Sequence, residues 1–123
     1  MPIVALVRVT TPSDVQKVDV VATLSLDYKT SSGDWGQVEA FFRDTAGAGD
    51  FVALNPGSFP VVSPSSDLFT STTLVWTKRA VPAAGRKYEF QIRINPRDGD
   101  SDAEVTVQGT KLSFVLETWK AGA

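Results

Sequence analysis

The 123 residues contain no histidine and no cysteine. The first absence removes the side chain that titrates near neutral pH without help; the second removes disulfides and thiolates. Together they exclude the commonest nucleophile and base pairings and nearly all zinc, copper and haem ligation. The expectation is a protein that is not an enzyme, with no catalytic residue, no metal and no cofactor. Carboxylate pairs of the glycosidase kind remain formally open among the 14 acidic residues, but the sequence does not show which two would face each other across a cleft.

Charge of one sign is also lacking. Twelve basic residues against 14 acidic ones give a net charge of -2, so there is no general attraction to nucleic acid or to an anionic membrane, and neither is expected as a partner. No stretch approaches the roughly 20 apolar residues that span a bilayer as a helix, and a soluble chain is expected. The opening Met1-Pro2-Ile3-Val4-Ala5-Leu6-Val7-Arg8 has only a short apolar run with no basic region ahead of it, so it does not read as a signal peptide. The missing cysteines agree with synthesis in a reducing cytoplasm.

Helical periodicity is the last absence. No window repeats apolar residues at i, i+3, i+4 and i+7 over three turns, and proline or glycine interrupts most candidates. What is present is period two. Val18, Val20, Ala22, Leu24, Leu26 and Tyr28 alternate with Asp19, Val21, Thr23, Ser25 and Asp27; Tyr88, Phe90, Ile92 and Ile94 alternate with Glu89, Gln91, Arg93 and Asn95. Further strands are predicted at Ile3 to Thr10, Gln37 to Arg43, Phe51 to Leu54, Leu68 to Thr77 and Ala103 to Trp119, the last broken near Gly109-Thr110. Strand 18–28 is expected to form a hairpin with 37–43 through the polar turn 29–34. Asn55-Pro56-Gly57 reads as a turn, and Pro60 and Pro64 confine any strand there to an edge. Seven or eight strands at about ten-residue spacing predict one domain, 1–123, an all-β antiparallel two-sheet sandwich, either immunoglobulin-like or, preferred here, jelly-roll-like.

Few motifs carry chemistry. Asp98-Gly99-Asp100-Ser101-Asp102-Ala103-Glu104 starts like a calcium loop, but Ala103 stands where that loop needs glycine and Gly109 where it needs glutamate, leaving a solvated turn as the plain reading. Ala46-Gly47-Ala48-Gly49-Asp50 lacks the lysine and the following helix of a phosphate loop. Of the three tryptophans, Trp76 shares a face with Leu74 and reads as core. Trp35, in a polar turn, and Trp119, near the end, are candidates for contact with a ligand or another subunit. Ile3, Val4 and Leu6 are the other binding candidates, because Ile3 to Val7 is apolar on both faces. Burial in a two-layer core explains that, and so does docking on a neighbouring subunit.

Val81-Pro82-Ala83-Ala84-Gly85, the strand Tyr88-x-Phe90-x-Ile92, a polar turn, Val105-x-Val107-x-Gly109 and Lys111-Leu112-Ser113-Phe114-Val115 together resemble the closing half of small jelly-roll modules of bacteriophage virions. These are tail-fibre, tail-tip and capsid-decoration domains, similar in outline to the C1q and TNF sandwich; the hairpin from Val18 to Arg43 fits the same scheme. The resemblance covers about half of the chain and transfers no functional residues. It implies a capsid decoration (cement) or tail accessory subunit on the virion, assembled in the host cytoplasm. Its partners would be other virion proteins, such as a major capsid or tail protein, and it would be a homo-oligomer, often a trimer. The alternative is a carbohydrate or cell-surface binding module using loops around Trp35 and from Gly47 to Ser66.

Overall fold

The computed structural model describes residues 3–45, 49–97 and 105–121, and the acidic run 98–104 and the loop residues 46–48 lie outside them. Seven strands occur: β1 (Ile3–Thr10), β2 (Lys17–Thr30), β3 (Trp35–Asp44), β4 (Val52–Val61), β5 (Thr70–Pro82), β6 (Lys87–Arg97) and β7 (Val105–Lys120). No helix occurs among the described residues. The strands form one curled antiparallel sheet in the order β1-β6-β3-β4-β5-β2-β7. Within it β6-β3-β4-β5 is a Greek key, three consecutive neighbours with the fourth strand returning beside the first.

The sheet has two arms. In the first, β6 lies between β1 and β3, and β3 pairs on its other side with β4; in the second, β2 lies between β5 and β7. The arms join where β4 meets β5 at the bridge pair Asn55 and Thr77. Their inner faces share one hydrophobic cluster, so the period-two apolar rows are two walls of the same core. Val18, Val20, Ala22, Leu24, Leu26 and Tyr28 come from β2, Val38, Ala40 and Phe42 from β3, and Tyr88, Phe90, Ile92 and Ile94 from β6. Trp76 is fully buried, as its face predicts; its indole nitrogen donates to Gly57 O at 2.8 Å and its ring meets Phe59 edge-on at 5.3 Å. Burying this ring without that acceptor would leave an indole N–H unpaired, which explains why β4 must pass close by.

Three expectations need correction. β2 and β3 do not form a hairpin. β2 pairs with β5 and β7 while β3 pairs with β4 and β6, so the turn closed by Asp34 N–H on Ser31 O at 2.9 Å carries the chain from one arm to the other. Both strands bury an alternating apolar face, and period two does not say whether two such faces sit side by side or oppose each other. Asn55-Pro56-Gly57 does not separate strands. It lies inside β4 as an irregularity between the pairs Phe41 with Ala53 and Glu39 with Ser58, with a cis Asn55-Pro56 bond. The prolines sit there because β4 makes little of a ladder on its β5 side. Nor is the last strand broken at Gly109-Thr110; it runs on, and its register against β2 slips between Ser25 opposite Ser113 and Asp27 opposite Gln108.

Two bulges explain patterns that alternation alone does not. At the start of β1, Ile3 pairs with Arg93 but Ala5 with Ile92, and the extra residue lets both Val4 and Ala5 pack on the core. At the end of β5, Val18 faces Val81 while Val20 faces Lys78; Ala80 takes φ 56° there and its N–H donates to Asp19 Oδ1 at 2.9 Å. The turn after β5 is anchored to the β1–β2 connection: Ala83 N–H donates to Gln16 O, Ala84 N–H to Val15 O and Gly85 N–H to Pro12 O at 2.8, 2.7 and 3.1 Å. Gly36 sits between the arms, where a Cβ would meet Val61 Cγ2 at 3.0 Å and Val105 Cγ2 at 3.3 Å.

Candidate interaction surfaces

Each arm turns a second face outward, and the two differ in chemistry. On the first arm, β6 is a central strand whose outward residues Glu89, Gln91 and Asn95 are buried rather than exposed as their polarity suggests. Neighbours on β1 and β3 supply long side chains that close over them. Glu89 holds ion pairs with Arg8 at 3.5 Å and Arg43 at 3.4 Å and accepts from Gln91 Nε2 at 3.0 Å. Arg93 donates to Gln91 Oε1 through Nε and Nη2 at 3.2 and 3.1 Å. The guanidinium of Arg93 lies over Phe41 at 4.3 Å, and that of Arg43 over Phe51 at 4.5 Å. Such stacking fixes planar cations over a polar row and shields it from water.

The second arm is plain by contrast. β2 shows Asp19, Val21, Thr23, Ser25 and Asp27 outward, with Ser25 and Thr73 hydroxyls 3.1 Å apart and Ser71 Oγ donating to Asp27 Oδ1 at 2.6 Å. Thr23 pairs with Val75 on β5 and Val115 on β7, so two exposed valines flank it in one row. Trp119 lies on the same face opposite Asp19 and is 52% exposed. β7 is the last strand of the sheet, so this face runs out to a strand edge.

A third feature is a hydroxyl-lined cleft of about 380 Å³ between the β2–β3 turn and the segment after β4, bounded by Thr30, Ser31, Ser32, Ser63, Ser65 and Ser66 among others. Its walls are tied by Thr30 N–H to Ser63 Oγ at 2.8 Å and Ser63 N–H to Thr30 Oγ1 at 3.0 Å. Tyr28 donates to Val62 O at 3.1 Å, and Tyr88 to Pro82 O at 2.6 Å. Burial raises both phenols above their ordinary range, because the ionised ring would lose its water.

The sequence candidates scatter over these surfaces. Val4 packs on the core. Ile3 enters through its backbone pairing with Arg93. Leu6 is exposed on the outer face of the first arm, as is Trp35, which opens β3 rather than sitting in the turn. Trp35 is not among the residues lining the hydroxyl cleft. Trp119 stands on the other arm. What the sequence reading missed is the closed polar row of β6; the signal was the run Glu89, Gln91, Arg93, Asn95, four large polar side chains on a strand too apolar on its other face to be an edge. Comparison of the chain with protein-family models, with curated proteins and with solved structures finds no match.

Proposed function

We propose that this chain is a non-enzymatic structural subunit of a bacteriophage virion, a capsid decoration or tail accessory protein whose two arms act as the two layers of a jelly-roll-like sandwich. In this reading it forms a homo-oligomer, with a trimer as the expected form, through the outer face of β5, β2 and β7. The observation that carries the contact reading is the row Val75, Thr23, Val115, with Trp119 exposed on the same face four residues farther along β7, beyond Glu117. These apolar side chains stand in the open on a face that also carries Asp19, Asp27 and Glu117 and has no closing layer among the described residues. Clustered exposed apolar residues with a tryptophan are the usual mark of a surface that another protein covers. The sequence resemblance and the Greek key support the virion assignment; the lack of histidine and cysteine supports the non-enzymatic one.

The experiment is gold labelling of intact particles with an antibody against the chain, in a phage that encodes it. A regular pattern on the head or a ring on the tail is expected. Label confined to the soluble fraction of the lysate would sink the virion reading.

A further inference from the structure

Two short hydroxyl-rich runs, Thr30-Ser31-Ser32-Gly33 at the end of β2 and Ser63-Pro64-Ser65-Ser66 after β4, face each other across the cleft described above. Gly33 takes φ 81°, which lets the turn close through Asp34 N–H on Ser31 O. Thr30 and Ser63 lock the two runs together, each donating its N–H to the other's hydroxyl, and Tyr28 adds its bond to Val62 O. The cleft keeps its shape by these bonds and leaves its other donors unspent. The hydroxyls of Ser31, Ser32 and Ser66 and the N–H groups of Ser32 and Gly33 have no partner among the described residues.

A second cavity of about 250 Å³ adjoins the first, sharing Thr30, Ser31 and Ser66 with it and adding Lys29 and Thr106 to the lining. The Lys29 ammonium is held over the Phe69 ring, 5.0 Å from its centre. No carboxylate lines either cavity; Asp34 and Asp67, the nearest acids along the chain, belong to neither lining. That composition selects among ligands. A metal cation would find no carboxylate to hold it and a lysine to repel it. An uncharged sugar would find no aromatic ring to stack on, and moving its hydroxyls from water to serine gains little. An oxyanion gains charge-assisted hydrogen bonds from several donors at once and an ammonium to balance its charge.

We propose that the two cavities form one oxyanion site for a phosphate or sulfate group, with Lys29 supplying the charge and Ser31 and Ser66, which line both cavities, donating to the anion's oxygens. The combined volume leaves room for a carrier esterified to that group. Lys29 pairs with Thr106 at the far end of β2 from Asp19 and its neighbour Trp119, so the site stands or falls independently of the proposed subunit contact and of the virion reading.

NMR titration of the intact, isotope-labelled chain with inorganic phosphate, glucose 6-phosphate and glucose, at an ionic strength fixed with sodium chloride, tests it. At least one of the two phosphates should shift the amide signals of Ser31, Gly33, Ser63 and Ser66 to saturation, with Kd on the order of 1 mM. Tighter binding of the ester marks a carried group, and tighter binding of inorganic phosphate a free ion. Glucose should shift none of these signals. Lys29→Gln weakens the binding at least about tenfold, a loss of about 1.4 kcal/mol. Ser66→Ala, at an exposed position, weakens it about threefold and leaves the thermal midpoint unchanged. Lys17→Gln, the same change of charge at the other end of β2, binds as the parent does. The proposal is overturned if neither phosphate saturates by about 20 mM, if glucose produces the same shifts at the same concentrations, or if Lys29→Gln binds unchanged.

Discussion

The outer faces of the two arms are built on the same strand geometry and have opposite fates. On the first arm the central strand carries large polar side chains, and arginines from both neighbours fold over them into a layer that satisfies itself from Glu89 to Arg93. On the second, the central strand carries small hydroxyls and valine, its neighbours add Val75, Val115 and Trp119, and nothing covers them among the described residues. A face is available for contact not because it is apolar or polar but because its own side chains leave it unfinished. By that measure the second arm is unfinished around Val75, Val115 and Trp119, and the first where Leu6 and Trp35 stand exposed beside its bonded row.

The outer faces can differ on one molecule because the inner faces form one core, and loss of that core is the largest effect a single substitution should produce. Trp76→Ala on the second arm and Phe90→Ala on the first should each cost about 3–5 kcal/mol, since both side chains are almost wholly buried in the shared core. Urea denaturation followed by fluorescence and by circular dichroism should show one coincident transition for each variant. Two separate transitions would mean that the arms fold apart. Gly36→Ala probes the same contact between arms from the opposite direction. Its new methyl would press on Val61 and Val105, for an expected loss of about 1–3 kcal/mol.

Glu89→Ala removes the acceptor of the Gln91 amide in a buried row and should cost about 1–3 kcal/mol. The matched change on the open face, Thr73→Ala, breaks an exposed hydroxyl pair and should fall within about 0.5 kcal/mol of the parent. Equal losses would erase the distinction between the faces. A smaller effect is expected with pH. The fold raises the pKa of Tyr28 and Tyr88 above 10.0, so their contribution is fully present below pH 10 and is lost as pH rises through the higher folded values. Tyr88→Phe should flatten that alkaline decline in a series of urea midpoints between pH 8 and 11; an unchanged slope would contradict the burial of this phenol.

Much of the fold was legible because each inner row announces itself. Val18 to Tyr28 and Tyr88 to Ile94 alternate so strictly that their strands and inward faces follow from period two, as the burial of Trp76 follows from its sharing a face with Leu74 on β5. Pairing was not legible, since alternation is identical for strands side by side and strands face to face; hence the misplaced hairpin between β2 and β3. The bulges at Val4 and Ala80 were hidden as well, because each depends on a partner far along the chain, Arg93 and Asp19. On the surface, Trp119 and Trp35 could be singled out by residue type, but their separation onto different arms needed the register. The amide nitrogen of Asn95, unpaired among the described residues, was invisible too, because that is a property of its surroundings rather than of its place in a polar row.

The most direct test of the division between faces is sedimentation velocity on two double variants that place lysines on one face at a time. Val115→Lys with Trp119→Lys should reduce the proposed oligomer to a folded monomer, whereas Leu6→Lys with Trp35→Lys should leave its size unchanged. An oligomer that survives the first pair and dissociates with the second would put the subunit contact on the wrong arm, and a parent chain that sediments as a monomer would remove it altogether.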